Sequence, residues 1–437
     1  MFNNREKYAW LIFIGCCFLT AGGFALVYSL AGVYLIPVST NLNISTVDVS
    51  FWLVSDGITS VIAMPIAGHL LQRNDMHRFI AGGSILSALG IFCFSFCTNR
   101  FHFILCGCLT GAGMPFLYGI AEVTLIGNWF PVKKQGFFLG IAMACQGFAA
   151  AVWAPLFTWL VQNYGYQNSY KINAILILLM ILPWALFILR KNPEQLGMKP
   201  YTSNDADYKN NRNFFDAHIG MDRKQALNSL AFWSALIASC TVCLGMGFDN
   251  HQQAIAIEFF GSNGINATQA SSYGAIMMSC SAIGTVVGDI GFGFIISRLG
   301  IKKTFAIFLS MFLFAFVSWS LAECVTLLLF VGSFLLGTHN GLASVGYPLL
   351  VRRLFGGRQC SKIYSIVNTA TSFFGGLTTM IVSLMYELVH TYFNEFFIAM
   401  IMVIVLAVFS FFAISKIGKR PWVDENGNPA EPYKLIR

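Results

Sequence analysis

Charged residues are scarce in this sequence. Asp, Glu, Lys and Arg make up 11% of the 437 residues, whereas hydrophobic residues make up 56% and the mean hydropathy is +0.66. A typical soluble domain has about 25% charged residues. The composition therefore excludes an ordinary soluble domain and indicates an integral membrane protein. The formal net charge of +8 does not indicate a nucleic-acid partner, because the basic residues lie in short loops between apolar runs.

Motifs of enzymes are also missing. The sequence has no HExxH, no glycine-rich phosphate loop and no nucleophile elbow joining a strand to a helix. The twelve cysteines are scattered, and Cys240 and Cys243 form a CxxC spacing inside an apolar run without a second pair. We interpret both as small packing residues. We therefore expect neither an enzyme, nor a cofactor, nor a bound metal.

Long apolar runs are abundant. A membrane-spanning helix needs about 20 mainly apolar residues, and the sequence contains twelve such runs, near 9–38, 48–72, 78–98, 101–128, 135–162, 170–190, 229–260, 269–297, 302–322, 325–354, 360–389 and 391–415. They predict an all-α integral membrane protein with twelve transmembrane helices in two six-helix bundles.

A polar segment separates the first six runs from the last six. The predicted domains are an N-terminal bundle (1–190), a cytoplasmic linker loop (191–228), a C-terminal bundle (229–415) and a cytoplasmic tail (416–437). Residues 203–212 are polar and predicted to be loop, and a short surface helix is predicted over 222–228.

The basic residues predict the orientation of the chain. If the N-terminus is inside and the spans alternate, 25 of the 27 Lys and Arg residues fall on the inner side, at or beyond the rims of the apolar runs. Only Arg100 and Lys171 fall outside. Inner loops of membrane proteins carry the excess of basic residues. We therefore predict a multi-pass protein of the plasma (cytoplasmic) membrane with both termini in the cytoplasm.

The two halves repeat one pattern. The second run ends with Gly68 followed by Arg73, and the eighth ends with Gly293 followed by Arg298 and then Lys302. Many secondary transporters consist of paired halves with the substrate site between them, near the middle of the bilayer. The two loops are therefore candidate inner gates. Glycines within the runs, such as Gly111 and Gly113, are interpreted as close-packing residues between helices.

These motifs carry a resemblance to a known family. The stretch from Gly293 to Lys303 resembles the loop signature of the major facilitator superfamily, and the copy at Gly68 is a weaker version. Residues 128–136, with the sequence NWFPVKKQG, and 192–200, with the sequence NPEQLGMKP, are similar to the branch of oxalate/formate antiporters and monocarboxylate transporters. The resemblance covers essentially the whole chain and implies the major facilitator fold and transport by alternating access.

The sequence departs from this family where substrate chemistry is decided. Gln72 and Ser297 stand where both loops usually carry Asp, which puts the usual inner charge relay in doubt. Asp289 stands four residues before Gly293, where that branch typically carries Arg. The Lys of oxalate-type carriers on the eleventh helix is also missing, since residues 365–385 contain no base.

The apolar runs contain acids without obvious basic partners. Asp289 continues a stripe with Ser281 and Thr285, and an ionised side chain at this depth costs at least about 2.5–3.5 kcal/mol. An unpaired buried acid favours its protonated form, so Asp289 is expected to carry a proton, to bind a cation or to contact substrate. We therefore expect a proton-coupled cycle, or a cationic or neutral substrate, more readily than strong binding of a dianion. The other cavity candidates are Glu122, His339, Gln146, Asn368, Asp56, Asp249 and His251.

Several of these residues have a structural alternative. Glu122, with Tyr118 predicted one helical turn before it, is equally explained as an acid bonded to a neighbouring helix. Asp56 and Asp249 are also explained as acids in water near the outer mouth, and His251 as a histidine at the outer rim.

The predicted function is secondary active transport of a small organic solute, coupled to protons through the buried acid. The alternative is a carboxylate exchanger of the oxalate/formate type, in which hydroxyls, amides and protonated His339 would bind the anion. A channel, or a receptor on a transporter scaffold, is a further alternative. The expected partners are a small-molecule substrate, protons and the lipid bilayer, and the protein is expected to act as a monomer.

Overall fold

A computed structural model describes residues 5–44, 46–73, 75–198, 219–262, 264–389, 391–419, 422–423 and 429–430. The predicted loop at 203–212 lies outside these residues. The described α-helices are α1 (Arg5–Leu19), α2 (Ala31–Leu42), α3 (Thr46–Leu70), α4 (Met76–Cys93), α5 (Arg100–Gly113), α6 (Ile120–Trp129), α7 (Val132–Pro183), α8 (Arg223–Leu227), α9 (Leu230–Val242), α10 (Leu244–Ser262), α11 (Ala267–Ser320), α12 (Leu327–Gly337), α13 (Tyr347–Phe355), α14 (Cys360–Val389) and α15 (Tyr392–Ser415).

The predicted all-α membrane fold is confirmed. In the described residues, 10 helical segments are long and apolar enough to cross a membrane. One of them, Ile276–Ser320, has 45 residues and turns at Gly300, where φ is 76°, so that it contains two spans. With α14, which has 30 residues, the number of spans reaches the predicted twelve. The short helix predicted over 222–228 is present as α8.

Four of the spans are interrupted. A π-helical segment, Thr20–Ser29, follows α1, and a 3₁₀ turn, Met114–Phe116, with Gly119 at φ 82°, separates α5 from α6. Cys243 separates α9 from α10, and a π-helical turn, Leu342–Gly346, lies between α12 and α13. These are the first, fourth, seventh and tenth spans. Non-helical backbone at membrane depth persists only where protein or a water-filled cavity surrounds it, so these spans are where polar groups can gather.

The described chain forms two compact units. The first contains Met1–Arg223, Phe355–Thr369 and Trp422–Glu431, and the second contains Lys224–Leu354 and Ala370–Pro421. The helix α14 is therefore divided, with its first ten residues in the first unit and the rest in the second.

In the first unit, α3 and α5 approach so closely that their backbones touch. A methyl group added at Gly111 would overlap the carbonyl oxygen of Asp56, and one at Gly107 would overlap that of Trp52. A methyl group at Gly113 would lie 2.5 Å from the carbonyl oxygen of Gly83 on α4. The close-packing role predicted for Gly111 and Gly113 is confirmed.

In the second unit, α11 and α12 pack through two glycine pairs with the same spacing. Gly284 and Gly288 on α11 face the backbone of α12, and a methyl group at Gly288 would lie 2.7 Å from the Thr338 carbonyl oxygen. Gly337 and Gly341 face α11 in return. Small residues four apart allow membrane helices to approach at backbone distance. This approach places polar side chains of α11 within hydrogen-bonding reach of the turn that follows α12.

Candidate functional site

Asp289 lies on α11 at the contact with the turn between α12 and α13. Its side chain is fully buried, with 0% exposure. The hydroxyl of Ser344 donates to Oδ1 over 2.7 Å, and the amide of Asn340 donates to Oδ1 and Oδ2 over 3.1 and 3.2 Å. In the described part of the chain no basic side chain forms an ion pair with it. The carboxylate is therefore held by neutral donors alone.

Asp249 lies on α10 and also contacts α11. The hydroxyl of Ser281 donates to its Oδ1 over 2.6 Å, and the amide of Gln252 donates to the same atom over 2.7 Å. Thr285, one turn after Ser281, donates to the Ser281 carbonyl oxygen over 3.1 Å. The stripe predicted on the eighth span, formed by Ser281, Thr285 and Asp289, is thus joined at Ser281 to Asp249 of the seventh span. All of these residues belong to the second unit.

His339 lies in the turn after α12, beside Asn340. Its ring is buried, stacks on Phe312 with centroids 5.3 Å apart, and has Nδ1 2.6 Å from the Leu336 carbonyl oxygen. Because a carbonyl can only accept, Nδ1 carries the hydrogen and Nε2 of the neutral ring is an acceptor. Among the described residues Nε2 has no hydrogen-bond partner. It faces α10 at Gly245, one helical turn before Asp249.

Glu122 lies in the first turn of α6, in the first unit. It is fully buried, with 0% exposure, and within the described residues neither carboxylate oxygen has a hydrogen-bond partner. The alternative that it bonds to a neighbouring helix finds no support in these contacts. The prediction that Tyr118 lies one helical turn before it is wrong, because the span is interrupted from Met114 to Gly119.

Three other predicted cavity residues also belong to the first unit. Asp56 is buried, and Oδ2 accepts a hydrogen bond of 2.7 Å from the hydroxyl of Tyr28. Asn368 lies on the part of α14 that belongs to this unit. A methyl group added at Gly119 would lie 3.5 Å from its Nδ2 atom. Gln146 is mostly buried and its Oε1 has no partner among the described residues.

The remaining predicted residues are His251 and the residues of the two predicted gate loops. Nδ1 of His251 lies 2.9 Å from the Gly247 carbonyl oxygen in its own helix. Gly68 packs against Ser361 and Ser365 of α14. The other gate residues are Gly293, which is buried, and Arg73, Arg298 and Lys302, which are exposed.

Two kinds of buried charge were not anticipated from the sequence. Arg352 and Arg353, assigned to the inner rim, are enclosed at the end of α13, with 1% and 8% exposure. Glu395, near the start of α15, is buried and neither oxygen has a partner in the described residues. It lies one turn after Thr391, whose hydroxyl donates to Glu258 over 2.8 Å. Glu395 falls inside the predicted run 391–415, so a search of every run for acids would have found it.

Comparison with known proteins supports the resemblance. A model of the Major Facilitator Superfamily matches residues 16–261. Monocarboxylate transporter 13 of Rattus norvegicus is 26% identical over 181 residues, which are 41% of this chain and 41% of that protein. Sialic acid transporter NanX of Escherichia coli (strain K12) is 23% identical over 257 residues, which are 57% of each chain. The aligned region thus spans about half or less of these relatives.

The fold also matches solved structures. The crystal structure of the fucose:proton symporter FucP of E. coli superposes with a TM-score of 0.66 at 17% identity, covering 93% of this chain and 98% of that one.

Proposed function

The chain belongs to the Major Facilitator Superfamily, and from this premise we propose that it is a secondary active transporter that carries a small organic acid together with a proton. The observation that carries the proposal is the buried carboxylate of Asp289, held by Ser344 and Asn340 without an ion-pair partner in the described chain. In the family branch that the sequence resembles, this position typically carries an arginine.

Asp289 is the proposed proton site. An ionised carboxylate occupies the donors of Ser344 and Asn340. When Asp289 takes up a proton, its carboxyl group accepts fewer hydrogen bonds. The Ser344 hydroxyl and the Asn340 amide then become available to the carboxylate of a substrate. Two like charges 4 Å apart repel by about 4 kcal/mol at an effective dielectric constant of about 20. A proton on Asp289 would remove this repulsion, and by linkage a bound acid would strengthen proton binding equally.

The proposed substrate class rests on the names of the relatives. These include transporters of monocarboxylates, sialic acid, galactarate/D-glucarate and hexuronates. Each of these compounds contains a carboxylate, and most also contain several hydroxyl groups. Neutral donors such as Ser344 and Asn340, beside Asp289, suit a polyhydroxylated acid. None of the relatives named here is an enzyme, which supports a transporter over an enzyme.

The remaining predicted residues are proposed to serve the same cycle. Asp249, Ser281 and His339 form the part of the second unit through which a proton would reach Asp289. Glu122 is proposed as a second protonatable group in the first unit. The basic-residue distribution supports a plasma-membrane protein with both termini in the cytoplasm.

The test is uptake into proteoliposomes containing the purified full chain. A monocarboxylate, a hexuronate and sialic acid are first screened for an increase in thermal stability, because a ligand of the folded state raises it. Uptake of the best ligand is then measured with and without an inward proton gradient. We expect the gradient to drive accumulation in the parent, and Asp289→Asn to lower gradient-driven uptake at least tenfold while substrate counterflow continues.

Asp48→Asn is the matched control, because Asp48 is partly exposed and forms an ion pair with Arg100, with 3.7 Å between Oδ1 and the guanidinium nitrogen. It should behave like the parent. Counterflow of organic anions that ignores the proton gradient and survives Asp289→Asn would overturn the proton role and favour the carboxylate exchanger.

A further inference from the structure

Three cysteines lie together where the third span gives way to the fourth. The helix α4 ends at Cys93, a 3₁₀ turn (Phe94–Phe96) follows, and Cys97 is extended shortly before α5 begins at Arg100. The sulfur atoms of Cys97 and Cys106 are 3.5 Å apart, and the thiol of Cys93 also interacts with Cys106. All three are free thiols. We call Cys93, Cys97 and Cys106 the thiol cluster.

The packing of α4 on α5 holds the thiol cluster together. Gly90 on α4 leaves no room for a side chain beside α5, because a methyl group added there would lie 2.6 Å from Cγ2 of Thr110. The side chain of Asn99 caps α5 and accepts from the backbone N–H of His102 over 3.2 Å. These contacts lie within about one helical turn of the cysteines. The thiols are therefore neighbours because the two helices and their turn are anchored on both sides.

The thiol cluster lines a cavity of about 280 Å³ that is open on one side. The other residues around this cavity are Phe96, His102 and Leu105. Cys93 is half-buried, whereas Cys97 and Cys106 are buried, with 3% and 5% exposure. A small reagent that enters the cavity therefore meets Cys93 first and the closely spaced pair behind it.

Basic side chains flank the same turn. Arg100 and Lys171 are the two bases predicted on the outer side, and both lie here. Arg100 begins α5 and pairs with Asp48 over 3.7 Å, while Nζ of Lys171 lies 5.6 Å from the centre of the Phe96 ring. A basic surface raises the local concentration of anionic reagents. The turn is predicted to face the outside of the cell, where disulfides form and persist.

We propose that the thiol cluster is a redox modification site, in which Cys97 and Cys106 form a disulfide at the outer end of the third and fourth spans. Cys93 is the thiol that reacts first with an external small disulfide of the class of oxidised glutathione. An S–S bond is about 2.05 Å long, so the two sulfur atoms must come about 1.5 Å closer than they are in the dithiol. Rotation of two small side chains beside an open cavity supplies this movement.

The oxidation proceeds by thiol–disulfide exchange. The thiolate of Cys93 attacks one sulfur of oxidised glutathione and forms a mixed disulfide, and the released glutathione thiolate takes up the proton that Cys93 lost. The thiolate of Cys106 then attacks the Cys93 sulfur and releases the second glutathione, which takes up the proton of Cys106.

Cys97 completes the exchange. Its thiolate attacks the Cys106 sulfur, the Cys97–Cys106 bond forms, and Cys93 leaves as a thiolate that takes up the proton of Cys97. In total two protein thiols lose two electrons and two protons, and one molecule of oxidised glutathione becomes two molecules of the glutathione thiol.

The experiment is a disulfide map of the purified full-length protein. The reduced protein is incubated in glutathione buffers that range from fully reduced to fully oxidised, the remaining thiols are blocked by alkylation, and peptides are analysed by mass spectrometry without reduction. The parent is compared with Cys97→Ser, Cys93→Ser and Cys108→Ser. Cys108 lies on α5 two residues after Cys106 and is half-buried, so its serine variant is the matched control.

We expect the peptide that joins Cys97 to Cys106 to be the main cross-linked product in the parent and in the control. It should disappear on reduction and be absent from Cys97→Ser. Cys93→Ser should form the same cross-link about threefold more slowly or less, because the buried pair must then react with glutathione directly. Oxidation should raise the melting temperature of the parent but not that of Cys97→Ser, since the cross-link restricts the unfolded chain.

Free thiols at both Cys97 and Cys106 in the most oxidising buffer would overturn the proposal. So would a cross-link that forms only above the melting temperature, because it would then belong to the unfolded chain. Equal rates of cross-linking in Cys93→Ser and in the parent would overturn the assignment of Cys93 as the first thiol to react. If Cys97→Ser does not fold, the parent and the control decide.

Discussion

The hydroxyl of Ser344 lies 2.7 Å from the carboxylate of Asp289, and the two residues come from different membrane spans. The contact exists because the glycines of α11 and α12 bring these helices to backbone distance. The acid is thus positioned by helix packing and by neutral donors, and among the described residues no basic side chain forms an ion pair with it.

Removing the hydroxyl in Ser344→Ala should move the pH profile of proton-driven uptake to higher pH by about one to two units. A hydrogen bond to a charged group contributes about 1.5–3 kcal/mol, and its loss destabilises the ionised carboxylate, so that a proton is retained at higher pH. Ser320→Ala is the control, because in the described structure the Ser320 hydroxyl donates within its own helix, to the Phe316 carbonyl oxygen over 2.9 Å. An unshifted profile in Ser344→Ala would separate Asp289 from proton coupling.

Gly337→Ala should destabilise the protein by about 1–3 kcal/mol, the usual cost of overpacking. The added methyl group would overlap the Ser281 carbonyl oxygen, and both helices must move apart to accept it. Gly261→Ala should be neutral or slightly stabilising, since alanine favours helix and nothing lies nearby. A thiol-reactive dye can report thermal unfolding, because most of the cysteines are buried or half-buried. Equal melting temperatures in the two variants would contradict the close approach.

Gly245→Ala should lower thermal stability, and His339→Ala in the same chain should restore much of the loss. The new methyl group would overlap the imidazole ring, which cannot easily move away because it stacks on Phe312. In double-mutant cycles, residues in contact show coupling energies of about 0.5–3 kcal/mol. Strictly additive effects of the two substitutions would show that the ring does not face α10 at Gly245.

Cys324 offers a test of the predicted orientation. It is the exposed cysteine among the described residues and lies between α11 and α12, in a loop predicted to be outside. A membrane-impermeant maleimide should label intact cells that express the protein, and Cys324→Ser should remove most of that labelling. Labelling that appears only after the cells are permeabilised would reverse the orientation.

The apolar runs in the sequence were sufficient to predict the all-α membrane fold. Runs of apolar residues long enough to span a bilayer are a strong signal, since backbone groups in lipid must bond within the segment. The interruptions were harder to locate. In the seventh span, α9 gives way to α10 at Cys243, and no proline or glycine at that position marks the break. Gly119 adopts a left-handed conformation that an apolar pattern does not reveal.

The acids of the site could be selected from the sequence, but not their partners. Asp289 and Glu122 are visible as single charges in apolar surroundings. Asn340 and Tyr28, which donate to acids on other helices, are visible only once the packing register of neighbouring spans is known.

One glycine contact is repeated in the two halves of the chain. Ser281, whose carbonyl oxygen meets Gly337, lies 225 positions after Asp56, whose carbonyl oxygen meets Gly111, and the same offset separates Gly293 from Gly68. The tight crossing of neighbouring spans is therefore common to both halves of the chain. By that offset Asp289 corresponds to Met64. The two halves share this helix packing but differ in their buried polar side chains, and the carboxylate proposed to carry the proton belongs to only one of them.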